Sequence, residues 1–207
     1  MTNAALFHSI YGTEGFQGYK LPLTQRAEIA ELIGARAERL AFIFCMVDRF
    51  TVDQTVLGPT AKPPHEYLET PPTFYARAEL GAFPLPLKSH GEWIDFLTLS
   101  LADWLEQVEG SAVKEVRLPV GDGFVYKMGE AWGYRRTAYK RMAEVLGEHG
   151  VDAAPRMYEE VFGREPDWSR AIIKPKTPPM GQAALDALEA MESAKLDFGD
   201  GAFVVEP

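Results

Sequence analysis

The sequence holds a single cysteine, Cys45. No disulfide can close within the chain, and no Cys-x-x-Cys metal or redox motif is available. Positive charge is also scarce, with 21 Lys and Arg against 30 Asp and Glu and a net charge of −9. That balance argues against non-specific binding to nucleic acid or to an anionic membrane, both of which select a basic face. No apolar run approaches the roughly 20 residues needed to cross a bilayer. The N-terminus lacks the basic and apolar regions of a secretory signal. The expectation is a soluble, cytoplasmic protein that meets a small-molecule ligand, and neither nucleic acid nor membrane. Three common signatures are missing: the Gly-x-Ser-x-Gly elbow, the Gly-Lys-Ser/Thr phosphate loop and the Rossmann fingerprint. Gly12, Gly15 and Gly18 stand at intervals of three without a phosphate-loop ending, and read as a turn-rich connector.

What the chain does have is a hydrophobic share of 46% and an aromatic share of 12%, arranged mostly with helical period. The pattern predicts helices over about 25–33, 35–49, 90–109, 130–148, 155–162 and 179–195. The second carries the stripe Ala37, Leu40, Ala41, Phe44 and Val47, and Leu40 to Val47 is apolar without a break, so it should be central. Cys45 lies in that run and reads as a small buried hydrophobe. Ser89-His90-Gly91-Glu92 is a capping box that opens the third helix. Its stripe is Trp93, Leu97, Leu101, Trp104 and Val108, widened by Phe96 and Leu99. Asp103 therefore sits on a helix apolar around most of its circumference, where a carboxylate is costly unless paired or metal-bound. Seven of the 15 prolines fall within 57–88, which excludes a long helix there. Thr73–Ala78 and Ala82–Leu87 predict a small hairpin around Gly81. A second short hairpin is expected from 113–120 and 124–127. The expected organisation is one helical domain over 1–173, with the proline-rich insertion at 57–88, followed by a linker, a helix and an acidic tail over 174–207.

One stretch near the start carries the most specific signal: Asn3-Ala4-Ala5-Leu6-Phe7-His8-Ser9-Ile10-Tyr11-Gly12-Thr13. It reads as a short apolar, buried helix that carries His8 and breaks at Gly12. Ala4 to Gly12 resembles the central signature of the HD superfamily, A-A-L-L-H-D-I-G. Leu99-Ser100-Leu101-Ala102-Asp103-Trp104-Leu105-Glu106-Gln107 resembles that superfamily's closing motif, L-A-D-R-L-x-N. The order of Leu6 to Phe16, Arg36 to Leu40 and Leu101 to Gln107 also resembles a little-characterised HD-like family with His-Ser in place of His-Asp. The resemblance covers roughly the first half of the chain.

It implies a mainly α protein, an HD-domain-like helical bundle carrying the small β-hairpin and proline-rich insertion. It implies that His8 and Asp103 ligate a divalent metal such as Fe, Mn, Co or Zn. A mononuclear site commonly takes three protein ligands, and His65 and His90 are the candidates for the third. Tyr11, Thr13, Glu106 and Gln107 would stand beside metal or substrate. Arg77, Arg135 and Arg136 are candidates for an anionic substrate. Two departures matter. Ser9 stands where the signature has Asp, and only seven residues precede His8, too few for the helix that brings the superfamily's first His.

Two functions follow from the resemblance. One is a metal-dependent phosphohydrolase or oxygenase; in the hydrolase a metal-bound water would attack. The other is a catalytically degenerate HD-like protein that binds a small ligand or a partner subunit. The missing ligands favour the second and predict weak or absent metal; Asp103 favours the first. A lost N-terminal helix would also account for the short start. The His8 helix is expected to begin almost at Met1 and to neighbour the Asp103 helix. The helix at 179–195, or a second copy of the chain, is expected to cover Leu6, Phe7 and Ile10.

Overall fold

The computed structural model of the chain describes residues 1–13, 20–57, 64–111, 116–117, 124–126, 132–133 and 136–167. The expected helix at 179–195, the linker before it and the acidic tail lie outside these residues, as do most of the glycine connector and the link between the two strands of the second hairpin. The described chain is mainly helical, with small two-stranded antiparallel sheets. It divides into two compact units, Met1–Trp93 and the residues from Ile94 on.

In the first unit, helix α1 (Thr2–Leu6) is short, and α2 (Arg26–Ile33) and α3 (Ala35–Met46) follow. Both α1 and α2 pack on α3. Gly34 separates α2 from α3 at φ 93°, a conformation an L side chain rarely adopts, and its N–H closes α2 on the Ala30 carbonyl at 2.9 Å. Every residue from Leu40 to Val47 is buried, as the unbroken apolar run predicts.

The sequence predicts that this helix continues to Arg49; it ends at Met46. Val47 is extended and bridges Ala76, and the Asp48 N–H donates to the Tyr75 carbonyl at 2.8 Å. Asp48 then opens α4 (Arg49–Val56), which the periodicity did not suggest. Its Oδ1 accepts the Phe50 N–H at 2.8 Å, the cap an aspartate supplies at a helix start.

The hairpin appears where expected: β1 (Thr73–Tyr75) pairs antiparallel with β2 (Pro84–Pro86), Phe74 opposite Leu85. Gly81 makes the turn at φ 99°. Proline has no N–H to donate, so the two prolines of β2 fit a two-stranded edge. Helix α5 (His90–Ser111) begins at Ser89, whose Oγ accepts the Glu92 N–H at 3.1 Å. The Glu92 carboxylate reaches back to the Lys88 N–H at 2.6 Å, so the capping box forms with its return bond one residue early. Trp93 is fully buried beside Tyr67 and donates to Thr55 Oγ1 at 3.3 Å.

In the second unit α5 continues, and its apolar face (Phe96, Leu97, Leu101, Trp104, Val108) is buried. β3 (Val116–Arg117) and β4 (Phe124–Tyr126) form the second short hairpin. α6 (Arg136–Glu148) and α7 (Ala153–Gly163) pack together. Trp104 stacks on Tyr139, ring centroids 5.1 Å apart and 7° from parallel. Arg136 lies over Phe162 and pairs with the buried Glu165 at 2.6 Å. None of the described helices is long and apolar enough to cross a membrane.

Candidate functional site

The signature histidine is not on a helix. α1 ends at Leu6, and His8 lies in the turn that follows. Two short backbone bonds wind that turn, Ile10 N–H to Phe7 O at 3.0 Å and Gly12 N–H to Ser9 O at 2.9 Å. Gly12 closes it at φ 82°, the glycine-favoured region the sequence pointed to. The expected burial of the stretch is also revised. Ala4 is buried, Leu6 is 72% exposed, and Phe7 and Ile10 are half-buried. A helix of five residues turns barely more than once, so it buries a single position on α3 and leaves the rest outside.

The turn is fastened to α3 at three points. Cys45 Sγ donates to the His8 carbonyl at 3.0 Å. The His8 ring meets Phe44 edge to face, centroids 5.2 Å apart. Tyr11 OH donates to Glu38 Oε1 at 2.9 Å. Glu38 is buried and Arg26 grips it bidentately, Nε to Oε1 at 2.6 Å and Nη2 to Oε2 at 3.0 Å. The same guanidinium lies 3.6 Å from the centroid of Phe42. A buried carboxylate is tolerable when fully hydrogen-bonded and paired, and both oxygens of Glu38 are engaged. Burial, helped by the Glu38 hydrogen bond, holds the Tyr11 phenol well above its ordinary range. Burial also pushes the Cys45 thiol up to about 12, so it stays a protonated donor to His8 O.

The imidazole itself is oriented. Its Nδ1 lies 2.6 Å from the Ala5 carbonyl. A carbonyl oxygen only accepts, so Nδ1 carries the proton, and in the neutral ring Nε2 is left as the acceptor. Arg49, the first residue of α4, places its guanidinium 4.1 Å from the centroid of the same Phe44 ring that His8 touches. Arg77 is buried, donates Nη1 to the Cys45 carbonyl and Nε to Glu79 at 2.7 Å. It is thereby built into the wall rather than presented to a substrate.

The other expected site residues belong to both units. Thr13 is buried at the end of the turn. Asp103 belongs to the second unit; it is half-buried rather than enclosed, because its position falls at the edge of the apolar stripe, and Gln107 Nε2 donates to its Oδ2 at 2.8 Å. Glu106 is exposed on α5. His90 lies at the start of α5 with its ring 5.6 Å from that of Trp93. The backbone of His65 falls in a short 3-10 turn, Pro64–Leu68; its side chain and Arg135 lie outside the described residues. Arg136 is committed to Glu165. Among the described residues of the first unit, His8 brings one nitrogen, Ser9 a hydroxyl, and both oxygens of Glu38 are engaged by Tyr11 and Arg26. Among the described residues no group of three or more His, Cys, Asp or Glu stands close enough to hold a metal ion.

Glu38 and Phe44 were not foreseen as parts of the site. Glu38, Phe42 and Cys45 recur at intervals of four and three, one face of α3. That face is a readable signal, hidden by the stronger apolar stripe beside it.

Comparison with known proteins touches this same region. Residues 1–49 match the model of a family described as a domain of unknown function (DUF6817). The match takes in the His8 turn, Arg26, all of α3 and Arg49. No curated protein and no solved structure matches the chain significantly.

Proposed function

We propose that the chain is an HD-like binding module without catalytic metal chemistry, and that the His8 turn is where it takes a small-molecule ligand. The observation that carries this reading is the Nδ1 contact of His8 with the Ala5 carbonyl at 2.6 Å. It fixes the orientation of the half-buried ring within the turn. Two further facts support it: Ser9 replaces the carboxylate of the HD pair, and the buried carboxylate of the turn, Glu38, already serves Tyr11 and Arg26.

The test is a small-molecule screen read by the His8 ring resonances of the full chain, with His8→Phe as control. A ligand that shifts those resonances saturably and fails to bind His8→Phe is the expected result. Parallel titrations with Mn, Fe, Co and Zn test the enzyme reading. Tight, stoichiometric metal that is lost in both His8→Ala and Asp103→Ala would overturn the proposal and establish the metal-dependent reading.

A further inference from the structure

We draw no further inference here: the strongest candidate, the exposed apolar surface of Leu6 on α1 and Leu32 on α2 in the first unit, carries none because nothing in the structure shows what covers it.

Discussion

At the scale of single residues the account turns on buried groups whose partners are all present. Glu38 is 4% exposed and holds Tyr11 and Arg26 together. Removing it leaves a guanidinium and a phenol without their acceptor. Glu38→Ala should therefore cost about 3 kcal/mol in denaturant unfolding, the low end for a broken buried pair because Arg26 is partly solvated. A loss under about 0.5 kcal/mol would mean that the carboxylate is merely solvated surface. The sequence makes His8 legible because histidine in an apolar context is rare and the flanking pattern resembles a known one. It does not make Glu38 legible. A charged residue in a helix is ordinarily solvent-facing, and only the fold shows that Tyr11 and Arg26 converge on this one. Leu6 errs the other way: its apolarity predicts burial, and the structure leaves it 72% exposed.

At the scale of elements, the unbroken apolar run from Leu40 to Val47 correctly marks α3 as central, and the proline density correctly marks the hairpin. The junction after α3 was not legible. Asp48-Arg49 suits the end of one helix or the start of the next, and the bridge from Val47 to Ala76 that decides between them is a long-range contact. The two assignments predict opposite mutant behaviour. Asp48→Ala removes the cap from α4 and should destabilise by about 1 kcal/mol, a fall in Tm of about 2–4 °C, with Asp48→Asn close to native. If α3 ran on through Arg49, alanine would improve its helix propensity and Tm would rise. The expected start of α6 at 130 falls partly outside the described residues, and the helix is described from Arg136.

At the scale of the molecule, helical periodicity gives a mainly α chain but not its division into two units, which depends on contacts far apart in sequence. Burial of acid groups spans both units. It pushes Cys45 up to about 12 in the first and Tyr158 up to about 12 in the second. A raised folded pKa means that the folded state keeps its proton longer. The stability these groups contribute is complete below their ordinary values, about 8.5 for a thiol and 10 for a phenol, and is lost as pH rises toward the folded values. Unfolding free energy should fall by about 2 kcal/mol between pH 8.5 and pH 10 from Cys45 alone, and Cys45→Ala should flatten that fall. Equal slopes in the two proteins would show that the thiol is not sequestered. The central claim, that the His8 ring is oriented through Nδ1 to take a ligand, has a more direct test. A long-range proton–nitrogen correlation spectrum of the neutral His8 ring reports which nitrogen carries the proton. The account predicts Nδ1 protonated and Nε2 unprotonated, as the Ala5 contact requires; a ring protonated on Nε2 instead would contradict it.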